Sequence, residues 1–366
     1  MSSNSVSSVL VTASPDVEST NISSPLLSGK DRFFILVLLR NIWWPIRAFL
    51  GCFTVEEDLL SCGDSSYEDI IPIHDRLTSE DGTLSVETLG RHPVGWGGSS
   101  DVWKGRLYQP TPKSQRRSIF VAVKILRVWN DGINVGKTLQ REIKIWKCLQ
   151  HPSISSFRGV VYDTYQTPAI ISPWYENGSA ERYLHNHPEV NPLKLIWEIV
   201  LGIEYLHDCG IIHGDLKGAN VMVDDDGHAK LIDFGLSRLI DATTGTTGGL
   251  TITTVAFSVR WCAPETLLSQ NGQITKAVDI YSWASTALQL STGDVPYGYL
   301  QERNVLFEVV HKRPPKVPAA ALRHSIPDTN KLWELLNRCW VEPNDRPTIT
   351  KVKREMLTFY LEALLT

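Results

Sequence analysis

Six side chains have types and spacings that could handle a phosphorylated ligand. Lys124 ends the run Val121-Ala122-Val123-Lys124 within the β-branched apolar stretch Phe120 to Leu126. An ammonium in such a strand is costly unless it meets a negative charge. Glu142, in the stretch Leu139 to Trp146, is its natural partner from a following helix; the plain alternative is a snorkelling lysine and a solvated glutamate. Asp215, Lys217 and Asn220 fall within six residues of one another in IIHGDLKGANVMV, Ile211 to Val223, and Asp233 directly follows the apolar pair Leu231-Ile232. Hard oxygens from Asn220 and Asp233, at the ends of neighbouring strands, could share Mg²⁺ with phosphate groups. Taken singly, Asp215 and Asp233 read equally well as turn formers or helix caps. The ordered set does not.

Upstream, Val94 to Val102 reads VGWGGSSDV. Gly95 and Gly97 allow a tight turn whose backbone N–H groups could lie over phosphates, although Gly-Ser turns are common and an ordinary hairpin accounts for them.

These residues need elements to hold them. Phe120 to Leu126 has the length and composition of a buried strand. Leu195 to His207 places Ile196, Ile199, Val200, Ile203 and Leu206 at helical spacing, with Gly210 as a stop signal. Asp224-Asp225-Asp226-Gly227 supplies a hairpin turn, and its acids read as turn and surface residues. From about Glu87 to Leu361 a strand-rich front third precedes a mostly helical remainder, without repeats. The pattern predicts an α+β protein of two lobes, a small β-rich one and a larger helical one, with a cleft between them.

Composition narrows the function classes. Among 366 residues, 36 Lys+Arg against 40 Asp+Glu leave a net charge of −4, so no global basic field for nucleic acid exists. Hydrophobic residues at 42% suffice for a substantial core. The six cysteines (Cys52, Cys62, Cys148, Cys209, Cys262, Cys339) form no CxxC pair and suggest neither a disulfide framework nor a zinc site, which fits a reducing, cytoplasmic setting.

The N-terminal region reads separately. Residues 1–30 are Ser-rich without hydrophobic period and read as a disordered tail, and no signal peptide is recognised at the start. Residues 31–53 form an apolar segment, of which Phe33 to Phe53 is almost long enough to span a bilayer. Arg40 near its middle costs roughly 2.5–3.5 kcal/mol on insertion scales, which twelve Leu, Ile, Val and Phe residues returning roughly 0.3–0.6 kcal/mol each nearly offset once Arg47, Asn41 and Pro45 are counted. Arg40 and Arg47 share a helical face, and Trp43 and Trp44 suit a membrane interface. A peripheral anchor, a core-packed helix and a true span stay open, so membrane association joins the cytoplasmic expectation. Residues 54–86 read as linker.

The motifs together resemble those of the eukaryotic protein kinases. The resemblance covers about residues 87–361, roughly three quarters of the chain. Beyond the stretches above, Ala263-Pro264-Glu265 is similar to the end of an activation segment. Asp279 is similar to the aspartate that anchors the catalytic loop, and Arg346 to the arginine that pairs with Glu265.

The resemblance implies the two-lobed kinase fold, with a small lobe at about 87–172, a hinge at about 173–178 and a large lobe at about 179–361. The activity it implies is transfer of the γ-phosphate of Mg-ATP to hydroxyls of protein substrates. By the same resemblance, Val94, Gly95, Gly97 and Ser100 belong to the phosphate-covering loop, Ser100 standing where a third glycine is usual. Lys124, paired with Glu142, holds the α- and β-phosphates. Val102, Ala122 and Met222 enclose the adenine, with Ser172 at the back of the pocket. Pro173, through its carbonyl, and Tyr175, through its N–H, contact the adenine edge. Asp215 orients and accepts the proton of the substrate hydroxyl, while Asn220 and Asp233 bind Mg²⁺. Lys217 contacts the transferred phosphate as in Ser/Thr kinases, and Ser258 stands where those enzymes place a threonine bonded to this loop. Trp261-Cys-Ala-Pro-Glu, Cys339-Trp340 and Asn-Asp-Arg-Pro-Thr are similar to the tyrosine-kinase-like group of Ser/Thr kinases.

Gly214 departs from the family by replacing the arginine that usually receives an activation-segment phosphate. The expectation is activity without phosphorylation of the Thr-rich stretch Thr243 to Thr254. Two other readings compete: a pseudokinase scaffold or nucleotide-gated binding module, and a tyrosine or dual-specificity kinase. The intact charged set opposes the first and Lys217 the second.

Overall fold

The computed structural model describes residues 72–73, 85–96, 100–108, 118–126, 142–161, 169–234, 238–239, 258–268, 275–316, 326 and 328–365. The Ser-rich tail, the apolar segment at 31–53, Gly97 and the Thr-rich stretch all lie outside them.

Seven strands form one sheet in the order β1-β6-β7-β5-β4-β2, with β3 also pairing β4. The strands are β1 Pro72–Ile73, β2 Ser85–Thr88, β3 Gly95–Trp96, β4 Ser100–Tyr108, β5 Ser118–Leu126, β6 Gly159–Val161 and β7 Ala169–Pro173. Only the β1–β6 pair is parallel. Paired backbone thus reaches into the segment 54–86 that reads as linker from sequence. Proline at the start of a two-residue edge strand is compatible with pairing, because the position is one where a missing N–H is tolerated.

Alternation along the strands sorts the side chains. Val121, Val123, Ala169, Ile171, Leu107 and Val86 are buried together on one face, with Trp103, Ile119 and Ile125 packed against them. The other face therefore carries Val102, Lys104, Ala122 and Lys124. Register sets them side by side, Val102 opposite Lys124 and Lys104 opposite Ala122, with Ser172 opposite Ala122 on the far side.

The larger part is helical. A helical stretch α1 at 142–146 precedes β6. Then come α2 Ala180–Asn186, α3 Leu193–Asp208, α4 Pro264–Leu268, α5 Ala277–Thr292, α6 Glu302–Val310, α7 Thr329–Cys339 and α8 Ile349–Leu365. Ile196, Ile199, Val200, Ile203 and Leu206 are all buried along α3, so the helical period read from the sequence does face a core. α5 is buried almost all round, including Asp279, Ser285, Thr286 and Gln289, and is the central helix of this half. Its buried polar groups require internal partners; the Thr286 hydroxyl, for example, donates to the Ser282 carbonyl at 2.8 Å. Two short hairpins complete the frame: β9 Val221–Val223 with β10 Ala229–Leu231, and β8 Ile211–Ile212 with β11 Arg238–Leu239. The α+β, two-part architecture expected from the pattern is the one observed.

Candidate active site

The lysine of β5 is paired twice. Lys124 Nζ donates to Glu142 Oε1 at 2.8 Å and to Asp233 Oδ1 at 2.7 Å. Burial by itself would lower the Lys124 pKa, but the charges of Asp233 and Glu142 and their hydrogen bonds outweigh it, and the net displacement is upward. The ammonium therefore stays charged, and it joins the sheet, α1 and the strand end that carries Asp233. Glu142 has a side chain only 1% exposed, and the lysine supplies a counter-charge to it there.

Asp233 is the last link of that triad and has a left-handed backbone, φ 67°. Asp and Asn enter this region more readily than most residues, at a cost repaid by contacts. Here Lys124 makes one such contact. The next residue, Phe234, is fully buried between Trp146 of α1, at 5.4 Å between ring centroids, and His213, at 5.6 Å. The site's metal-facing candidate is thus fixed on one side by charge and on the other by packing.

The loop from His213 to Asn220 is built around Asp279. Its Oδ2 accepts the His213 N–H at 2.9 Å and lies 2.8 Å from His207 Nε2, while Oδ1 accepts the Gly214 N–H at 2.9 Å. Burial favours the neutral acid, yet the His207 contact, the nearby His213 and the Gly214 N–H prevail and lower the Asp279 pKa. Gly214 has φ 78°, a left-handed conformation that is free of strain only without a Cβ. After this bend Asp215 is presented with its Oδ2 accepting from Lys217 Nζ at 2.8 Å and from Asn220 Nδ2 at 3.0 Å. Asn220 Nδ2 also donates to the Asp215 carbonyl at 2.7 Å. The amide nitrogen is thus used inside the loop, and Oδ1 is the other polar atom of this buried side chain. Lys217 reaches on to Ser258 Oγ at 2.8 Å and so ties the loop to the segment before Ala263-Pro264-Glu265.

The remaining candidate residues line the two sides of this assembly. Ala122 and Val102 lie on the Lys124 face of the sheet. Met222 faces away from the fully buried Val221 and Val223 and bridges to Ser179 at the start of α2. Pro173 ends β7 opposite Val121, and Trp174 N–H donates to the Phe120 carbonyl at 3.4 Å. The Tyr175 hydroxyl donates to Ser155 Oγ at 3.1 Å, and burial raises its pKa. Val94 is exposed and its N–H donates to the Val102 carbonyl at 2.8 Å. Gly95 opens β3, and among the described residues a Cβ there would meet Val102 Cβ at 3.8 Å, an ordinary contact. Ser100 is buried at the start of β4.

Several contributors have no separate sequence signal. His207 is one of ten histidines, and only the fold sets it against Asp279. Arg260 donates to the carbonyls of Pro296 and Tyr297 at 2.9 Å and Leu300 at 3.1 Å, and to Glu302 at 2.7 Å, clamping the segment around Trp261 onto the loop ahead of α6. Lys104 pairs with Glu176, just beyond β7, and stands over the rings of Phe120 and Trp174, 4.4 and 5.0 Å from their centroids. Farther off, Arg346 Nη2 donates to Glu265 Oε2 at 2.9 Å, and Nη1 bonds the other oxygen of the same carboxylate.

Comparison with known proteins places this arrangement in a family. A family model described as a protein kinase domain matches residues 91–357. Among similar proteins, serine/threonine-protein kinase STY17 of Arabidopsis thaliana is 30% identical over 255 residues, covering 68% of this chain and 41% of that protein. Human receptor-interacting serine/threonine-protein kinase 3 is 31% identical over 282 residues, covering 72% of this chain and 50% of that protein. Mitogen-activated protein kinase kinase kinase 1b of Physcomitrium patens is 32% identical over 205 residues, covering 55% of this chain and 26% of that protein. The chain spans half or less of the length of these relatives. It belongs to the protein kinase family.

Proposed function

We propose that the protein is an ATP-dependent serine/threonine protein kinase that transfers the γ-phosphate of Mg-ATP to hydroxyls of protein substrates. The observation that carries this is the convergence of Lys124 on both Glu142 and Asp233. The three come from separate elements, and a solvated lysine would need neither carboxylate.

In this reading Lys124 holds the α- and β-phosphates, and Val102, Ala122 and Met222 enclose the adenine. The Pro173 carbonyl and Tyr175 N–H hold the adenine edge, and Val94, Gly95, Gly97 and Ser100 cover the phosphates. The residues present suit a hard divalent cation: a carboxylate from Asp233 and the side-chain carbonyl of Asn220 are both oxygen donors. Among the described residues no cluster of three or more His, Cys, Asp or Glu could hold a metal alone, which suits an ion completed by phosphate oxygens. Mg²⁺ would neutralise charge on those oxygens. Asp215 keeps one oxygen fixed by Lys217 and Asn220 and offers the other to the substrate hydroxyl, orienting it and accepting its proton. Lys217 stabilises charge on the transferred group. Phosphoryl transfer depends chiefly on such positioning, with general-base help of about 10²–10⁴-fold.

We assign the kinase domain to residues 87–361, its hinge to 173–178, and activity without phosphorylation of Thr243 to Thr254, because Gly214 offers no guanidinium to receive a phosphate. Residues 33–53 are assigned a peripheral membrane contact in a cytoplasmic protein. Among the described residues no helix is long and apolar enough to cross a membrane.

The decisive experiment traces phosphate from Mg-ATP into a generic protein substrate, comparing the full chain with Asp215→Asn and Lys124→Met, with phosphoamino-acid analysis of the product. Label on serine or threonine that both variants abolish is expected. Nucleotide binding without transfer in the unaltered chain would mean a pseudokinase, and label on tyrosine would move the specificity. Phosphatase pretreatment that removes most activity would overturn the Gly214 assignment. Membrane fractionation with and without residues 31–53 tests the anchor.

A further inference from the structure

The segment Ser258–Cys262 lies against the loop carrying Asp215 and is joined to it twice. One bridge is Lys217 to Ser258. The other passes through Gln289, a residue of α5 with only 4% of its surface exposed. Its Oε1 accepts the Gly218 N–H at 3.1 Å and the Trp261 indole N–H at 3.0 Å, and its Nε2 donates to Glu181 Oε2 at 2.5 Å. Two N–H donors on one side and a carboxylate on the other leave a single amide orientation that satisfies every partner. The approach is so close that a Cβ at Gly218 would stand 2.7 Å from Gln289 Oε1 and 3.1 Å from Glu181 Oε2. Glycine at 218 is what permits the contact. The backbone of Trp261 is held from the same helix, since the Ser282 hydroxyl donates to its carbonyl at 2.9 Å.

We propose that Gln289 is a positioning residue for protein substrate. Through Gly218 and Trp261 it sets the spacing between the Asp215 loop and the Ser258–Cys262 segment, and through Glu181 it ties both to the first turn of α2. The inference rests on the kinase reading above. Lys217 is committed to Asp215 and, in that reading, to the transferred phosphate, whereas Gln289 touches neither. Its bridge holds the two segments in register without drawing on the reacting groups. The nucleotide side of the cleft is built from Lys124, Glu142 and Asp233, none of which contacts this amide. Loss of the bridge should therefore fall chiefly on the handling of the protein substrate, and reach ATP only indirectly, through Asn220 in the same loop.

The chemistry allows a swap. Gln289→Glu keeps an oxygen for Gly218 and Trp261 but sets a carboxylate against Glu181. Adding Glu181→Gln restores one amide donor and one carboxylate to the same contact with the roles reversed. In the full chain, Gln289→Glu should raise KM for the protein substrate about tenfold, the effect of losing one charged hydrogen bond, with KM for ATP within about twofold. The double variant should recover to within about threefold of the unaltered chain. Amide hydrogen exchange at residues 217–221, which does not require activity, should quicken in Gln289→Glu and slow again in the double variant. A change confined to KM for ATP, exchange unmoved by Gln289→Glu, or no recovery on the swap would overturn the proposal. An unaltered chain that transfers no phosphate would overturn the kinase reading instead, and the exchange pattern would then decide whether the bridge positions the loop.

Discussion

Gly214 gives its N–H to Asp279 Oδ1 at 2.9 Å from a backbone at φ 78°, so the same residue that lacks a guanidinium also bends without strain. A side chain in the left-handed region costs about 1–2 kcal/mol. Gly214→Ala should lose about that much stability in urea titrations, with the loop from His213 to Asn220 otherwise kept. Asp279→Asn should lose more, about 2–3 kcal/mol, because one of its two acceptor positions becomes an NH₂ facing an N–H. Equal stability of Gly214→Ala and the unaltered chain would show that the bend carries no steric demand.

Lys124→Met removes the cation between two carboxylates. Glu142 cannot reach water, and breaking a buried pair from one side costs about 3–5 kcal/mol. Asp233 is more exposed and can hydrate, so a loss near the lower end, about 3 kcal/mol, is expected by denaturant unfolding. Adding Glu142→Gln should return part of it. The raised Lys124 pKa gives the pH sign: its stabilisation is complete below the unfolded lysine value of about 10.4 and is lost only as pH climbs through the higher folded value. Transfer should therefore show no alkaline limb from Lys124 below about pH 10.

His151 governs an acid window. Burial, and then the charge of Lys230, lower its pKa from 6.5 to about 4. The ring stacks on Tyr205 at 4.9 Å, and Nδ1 accepts the Ser153 N–H at 3.0 Å, which a protonated Nδ1 could not do. The folded state thus resists a proton that the unfolded chain accepts, and stability should fall as pH drops from 6.5 towards about 4, by at most about 3 kcal/mol. His151→Phe keeps the stack and should flatten that slope in urea titrations at stepped pH. An unchanged slope would locate the acid sensitivity elsewhere.

Arg346 uses its whole fork: Nη1 and Nη2 on Glu265, Nη1 on the Ala277 carbonyl at 2.9 Å and Nε on the Val341 carbonyl at 2.9 Å. Lysine offers a point charge where four bonds are made. Arg346→Lys should cost about 2–3 kcal/mol and lower the thermal midpoint by several degrees. Transfer should fall with it, since Glu265 is only three residues from Cys262. A midpoint unchanged within a degree would mean that the charge alone suffices.

The charged set was legible because chemistry restricts residue type. Few explanations put Lys124 in an apolar strand, Asp215, Lys217 and Asn220 in one short loop, and Asp233 at a strand end, and their order along the chain narrowed those explanations further. The strand at Phe120 to Leu126 and the helix across Leu195 to His207 were legible for a related reason: burial on one face imposes a period that a local window contains. Periodicity fails at the first strands, where Pro72–Ile73 pairs in a segment that reads as linker. Two paired residues carry no period.

What the sequence by itself determined is therefore the inventory: the charged side chains proposed for the site, the two-part architecture and the family. The tertiary structure alone decided the partnerships that hold them. Sequence spacing suggested Glu142 for Lys124, but it did not reveal that Asp233 would share the same ammonium, that Asp279 would gather His207, His213 and Gly214, or that Gln289 would bridge Gly218 to Trp261. Each of those contacts joins residues 65 or more positions apart, except Gln289 to Trp261 at 28. A hydrogen bond across such a gap depends on how whole helices and strands pack, and no local run of residues encodes that geometry.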